Sequence, residues 1–209
     1  MIKYIKKNVG GLTLVELLVV ISVLSLVGGL FLTIFTRTLR GNNKSQIIGV
    51  IKQNGQSVLE VVDKTIRNSE NVVCVSTPGS SSLVVVQNGI YTRYRFIPQA
   101  TVNGLIEQDN PVKQTDQTTG AEETETAFIN RVCSDSDPMI QPVILTDTNP
   151  QTGISVIPDN NLPFFVRDKL SGFKDSVTVR FALKPGVAAP QAVAGQIDPV
   201  AFETTIQLR

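Results

Sequence analysis

Side chains that move protons, donate electron pairs or hold metals are scarce in this sequence. It has no histidine. That removes histidine general bases, Ser-His-Asp triads and histidine-ligated metal sites together; Ser–Lys dyads remain formally possible, but the expectation is that no S-x-x-K stretch supplies one. Cys74 and Cys133 are the only cysteines, too far apart for a CxxC redox or zinc site. The acidic clusters Ser134-Asp135-Ser136-Asp137 and Asp147 to Asn149 do not match the EF-hand loop with its twelfth-position Glu, and they read as solvated loops. In Ile90 to Phe96, Tyr91, Arg93 and Arg95 share one strand face, read as solvated rather than as a contact surface. The residue placed to do something unusual is Glu16. It borders an apolar run, where a carboxylate costs on the order of 2–3 kcal/mol unless it is paired or reaches the interface.

The element that positions Glu16 is the run from Leu17 to Phe35, which carries no charge. As a helix it covers roughly 28 Å, enough to cross a bilayer. Lys3, Lys6 and Lys7 precede it; Arg37, Arg40 and Lys44 follow. Long downstream domains translocate largely regardless of charge, so the expectation is N-terminus inside and the bulk outside. An ordinary secretory signal fits poorly, because its apolar core is shorter and needs a small-residue cleavage site. Phe35-Thr36-Arg37-Thr38 offers none. A plain signal anchor with Glu16 snorkelling remains an alternative. Gly28-Gly29 interrupts the run and reads as a close-packing position or a weak point.

Together, the basic leader, Gly10-Gly11-Leu12-Thr13-Leu14-Val15-Glu16 and the apolar run resemble the prepilin leader of the type IV pilin-like family. Leu12 departs from the more usual Phe. The resemblance implies cleavage between Gly11 and Leu12 by a prepilin peptidase, N-methylation of Leu12, and an assembly role for Glu16 and Thr13. Glu16 would pair with the Leu12 amine of a neighbouring subunit; a pair within one chain is the alternative. The implied partners are other pilin or pseudopilin subunits, the assembly platform of the inner or cytoplasmic membrane, and lipid. Val58 to Arg67, Tyr94-Arg95-Phe96 and Phe202 to Arg209 more weakly resemble J-type minor pseudopilins and W-type minor pilins.

Of the 209 residues, 42% are hydrophobic and the net charge is +1. Nothing in that balance marks a nucleic-acid surface. The expected organisation is a leader over 1–11, a membrane helix over 12–35, an amphipathic helix over 36–70 and a β-rich domain over 71–209. Ile47, Ile51, Val58, Val62 and Ile66 keep helical spacing, with soft spots at Gly41-Asn42-Asn43 and Asn54-Gly55. Short strands are expected at 72–75, 83–87, 90–96, 143–145, 154–157, 164–166, 176–183 and 201–209. Asn88-Gly89 marks a hairpin. The polar stretch 103–127 reads as an exposed loop. In an exported domain Cys74 and Cys133 could form a disulfide or lie as two separately buried thiols.

The expected fold class is α+β, a long N-terminal helix on an antiparallel sheet domain, with division into two sheets left open. The expected function is that of a structural subunit, a minor pilin or pseudopilin of a type IV pilus-like or type II secretion-like filament. The alternative is a signal-anchored binding or adhesion module. Neither enzymatic activity, nor a cofactor, nor a metal is expected.

Overall fold

The computed structural model describes residues 13–75, 82–99, 101–115, 120–134, 137–160, 162–169, 171–190 and 194–208. The chain divides into Met1–Asn43 and Lys44–Arg209. Helix α1, Leu14–Asn68, contributes to both.

In the first unit every described residue is exposed, including Leu17, Leu24, Leu30 and Phe31. Among the described residues α1 is the one helix long and apolar enough to cross a membrane. In this apolar half its hydroxyls are satisfied within the helix. Ser22, Ser25 and Thr33 donate to Leu18, Ile21 and Gly29 carbonyls at 2.8, 2.8 and 2.9 Å. Such back-bonding leaves no hydroxyl needing water, as a hydrocarbon environment requires.

In the second unit α1 buries Ile51, Gly55, Val58, Val62 and Ile66, spaced at three and four residues along one stripe. The helix runs unbroken through both expected soft spots. Asn54-Gly55 is instead a docking point. A Cβ at Gly55 would meet the Phe202 ring at 2.2 Å, and Asn54 Oδ1 accepts from the Asp147 N–H at 3.2 Å.

Among the described residues nine strands form two antiparallel sheets. The first has the order β1 (Asn71–Val75), β2 (Ser82–Gln87), β3 (Ile90–Ile97), β4 (Leu105–Asp109), β5 (Val143–Ile144). Asn88 and Gly89 join β2 to β3 with φ of 50° and 75°, the two left-handed positions of a type I′ turn. In the second sheet β8 (Ser176–Pro185) is central. β6 (Ile154–Ile157) pairs with its 182–185 end and β7 (Phe165–Asp168) with its 176–179 end. β9 (Val200–Gln207) runs along its other side. The α1 stripe, Leu83, Val85, Tyr94 and Phe96 from the first sheet, and Val177, Phe181, Leu183 and Ile206 from the second share one core.

The stretch 103–127 is not a simple exposed loop. β4 lies inside it, with Ile106 and Asp109 buried, and α2 (Glu125–Val132) begins in it. Asn103-Gly104 joins the two sheets. The buried Asn103 amide donates to the Thr148 and Asn149 carbonyls at 3.1 and 2.9 Å and accepts from the Val187 N–H at 2.8 Å. Gly104 exchanges bonds with Ser155 and Val156, and any Cβ there would strike the Val156 carbonyl oxygen at 2.2 Å. A strand with two apolar residues out of five leaves little periodicity to read.

Candidate functional site

Gly11 and Leu12, the expected cleavage and methylation positions, lie outside the described residues. Thr13 and Glu16 open α1 as a reciprocal cap. Thr13 Oγ1 accepts from the Glu16 N–H, and Glu16 Oε2 accepts from the Thr13 N–H, all at 3.3 Å. The Thr13 hydroxyl also lies 3.3 Å from Glu16 Oε2. A Thr followed three residues later by Glu satisfies two otherwise orphaned helix N–H groups. The T-x-x-E spacing was the available signal for this cap, and the sequence reading passed over it. The carboxylate therefore has a local partner set within its own chain.

Cys74 and Cys133 are joined as a disulfide, with Cα atoms 6.1 Å apart. Cys74 follows an irregularity in the β1–β2 register between Val72 and Cys74. Cys133 is the C-cap of α2. The bridge thus fixes α2 to the face of the first sheet that points away from α1. Phe128 and Val132 of α2 pack there with Val84, Val73 and Tyr91 in a second small core.

Beneath α2 lies the cluster that corrects the solvated reading of the basic face. Arg93 is fully buried. Its Nε and Nη2 donate to Asp109 at 2.9 and 2.7 Å, and its Nη1 donates to Asp137 Oδ2 at 2.7 Å. Nη2 also donates to the Pro138 carbonyl at 3.1 Å. Arg131 holds Asp137 from the other side at 3.0 Å and Glu123 at 2.9 Å. Asp137 is therefore not a solvated loop residue. Burial opposes the charge on Arg93, but its bonds to Asp109 and Asp137 outweigh it and raise its pKa. The Glu123 bond raises that of Arg131, and in return Arg131 lowers that of Glu123. With its donors committed, Arg93 ties β3, β4 and the segment after α2 together; it presents no open guanidinium edge to a ligand.

Ser171 and Lys174 have the S-x-x-K spacing, which the sequence reading also missed. Both are exposed in the turn around Gly172, whose φ is 85°. Among the described residues no group of three or more acidic or sulfur side chains is placed to hold a metal.

Compared with known families, residues 6–32 match the prokaryotic N-terminal methylation motif. No curated protein and no solved structure matches the chain.

Proposed function

We propose, from the type IV pilin-like methylation motif that the chain carries at residues 6–32, that it is a filament subunit, a minor pilin or pseudopilin, drawn from the membrane. The motif marks a prepilin-like substrate of prepilin peptidase, and with the exposed apolar half of α1 it marks a membrane-anchored protein. On this reading the peptidase cuts between Gly11 and Leu12 on the inner side, Leu12 is methylated, and the domain beyond Lys44 faces outward. The disulfide supports the outward placement, because such bridges persist in oxidising compartments. The cut exposes a charged amine at Leu12. In a filament core of packed helices that amine and Glu16 would each be costly alone. Pairing between neighbouring subunits would satisfy both. The same reading assigns the chain a structural rather than an enzymatic role.

The observation that carries the proposal is the motif in register with Glu16. Mass spectrometry of the membrane-extracted protein, co-expressed with a prepilin peptidase, tests it. The expected N-terminus is methylated Leu12. An intact chain starting at Met1 would reject the filament reading in favour of a plain signal anchor.

A further inference from the structure

Just beyond the apolar run lie two arginines that nothing in the chain engages. Every other arginine among the described residues is committed. Arg67 pairs with Asp63, Arg93 with Asp109 and Asp137, Arg131 with Glu123 and Asp137, Arg167 with Asp175, and Arg180 with Glu203. Arg95 donates to the Asp137 carbonyl at 2.9 Å. Arg37 and Arg40 are exposed and, among the described residues, have neither an ion pair nor a side-chain hydrogen bond. The helix around them supplies no carboxylate, since from Leu17 to Leu59 the sequence has neither Asp nor Glu. Their spacing of three residues puts both guanidinium groups on one helix face. Thr36 and Thr38 beside them turn their hydroxyls back to the Leu32 and Ile34 carbonyls.

Their depth in a membrane follows from the helix rise. The apolar run ends at Phe35. At 1.5 Å per residue Arg37 comes about 3 Å beyond that point and Arg40 about 7.5 Å beyond it. The headgroup layer on each side of the hydrocarbon is roughly 5–8 Å thick, so both arginines fall within it. The acceptors plentiful at that depth are lipid phosphates, and a guanidinium meets a phosphate with two parallel N–H···O bonds. Orientation does not account for the pair. Lys3, Lys6 and Lys7 before the run balance Arg37, Arg40 and Lys44 after it, and a balanced flank carries no orientation signal. A neighbouring copy does not supply the missing charge either. Anchored by the same run, it presents the same acid-free stretch at that depth.

We infer that Arg37 and Arg40 bind the phosphate of an anionic phospholipid, one whose headgroup carries no cation of its own, such as phosphatidylglycerol. A zwitterionic lipid brings an ammonium group beside its phosphate and leaves the charge of the arginine pair uncompensated. An anionic headgroup offsets it. The same helix face continues below the arginines through Thr33, Leu30 and Leu26, at helical steps of three and four residues. Leu30 and Leu26 are 67% and 71% exposed, and the Thr33 hydroxyl is turned back to the Gly29 carbonyl. That face offers an acyl chain an apolar track directly beneath its headgroup. The inference rests on the membrane anchor, and neither on filament assembly nor on which side of the membrane the arginines lie.

Quenching by brominated lipids, with the full-length chain in vesicles, tests the site. The sequence has no tryptophan, so Leu30→Trp, on the arginine face and about 10 Å below Arg37, is a lone reporter. The vesicles are phosphatidylcholine with a minor fraction of phosphatidylglycerol. In one set the acyl chains of phosphatidylglycerol carry the bromine; in the other an equal amount of phosphatidylcholine carries it. The two bilayers then have the same charge and differ only in which lipid quenches. One basic residue near the surface gives about a fivefold preference for an anionic lipid, so phosphatidylglycerol should occupy the site at least about fivefold more strongly than phosphatidylcholine. Arg37→Gln combined with Arg40→Gln keeps good helix formers at both positions and should bring the two sets to equal quenching. Equal quenching of the Leu30→Trp chain itself would overturn the inference and leave the arginines to a carboxylate of another protein. A preference that survives the double change would overturn it as well. Quenching by neither set would reject the membrane anchor, and the inference with it.

Discussion

Arg93→Met removes the guanidinium from beneath α2 while keeping most of its apolar volume. Two carboxylates lose their partner there. The Arg93 and Asp109 side chains are 0% exposed and that of Asp137 is 4% exposed. Asp137 keeps Arg131 at 3.0 and 3.2 Å, so Asp109 bears most of the loss. Among the described residues its remaining partner is the Ile140 N–H at 2.9 Å. Breaking a buried pair from one side costs about 3–5 kcal/mol. For a unit of this size each kcal/mol moves Tm by roughly 2–4 °C, so a fall on the order of 6–20 °C is expected. Arg180→Met is the matched control. Its pair with Glu203 also joins neighbouring strands, but those side chains are 26% and 54% exposed, and such pairs contribute at most about 1 kcal/mol. Thermal unfolding of both variants, followed by near-ultraviolet circular dichroism in one detergent, gives the comparison. Equal Tm values for the two variants would refute the buried-charge reasoning.

The remaining expectations concern the helix start, the bridge and one tyrosine. Glu16→Gln keeps the cap to Thr13 but loses the charge, whereas Glu16→Val loses both. If intersubunit charge pairing drives assembly, both variants should insert and be cleaved but be depleted from sheared filaments by immunoblot; wild-type incorporation of Glu16→Gln alone would assign the residue to capping. Reducing the Cys74–Cys133 bridge, 59 residues apart in sequence, should cost about 4 kcal/mol in the chain-entropy model. Unreduced, denatured protein should take up almost no thiol label, and full labelling of both positions would contradict the bridge. Burial holds the Tyr94 phenol up at about 12 from 10.0, against a smaller opposing effect of its bond to Thr65. The fold prefers the neutral form. Its contribution is therefore complete below pH 10 and is lost as pH rises from 10 towards 12, about 2–3 kcal/mol in all. Ultraviolet titration of phenolate formation checks it; all three tyrosines ionising together near pH 10 would contradict it.

Local pattern alone determined the first third of this chain. A run without charge, a basic leader and Glu16 in register need no distant partner to be recognised. The amphipathic stripe of Ile51, Val58, Val62 and Ile66 was legible because helical periodicity is a property of neighbours in sequence. The Asn88-Gly89 hairpin was legible for the same reason, since both of its left-handed residues are adjacent.

Tertiary structure decided what depended on distant partners. Arg93 read as a solvated cation because its strand alternates charged and apolar faces. It is buried because Asp109 and Asp137, 16 and 44 residues away, neutralise it under a helix. β4 read as loop because its buried Asp109 is polar, and only that ion pair makes burial tolerable. Asn54-Gly55 read as a weak point because glycine is a poor helix former; the arriving Phe202 ring makes the absence of a Cβ necessary. Cys74 and Cys133 left two readings open until Cα separation chose between them. In each case composition told the cost of the residue, and only the fold supplied the group that offsets it.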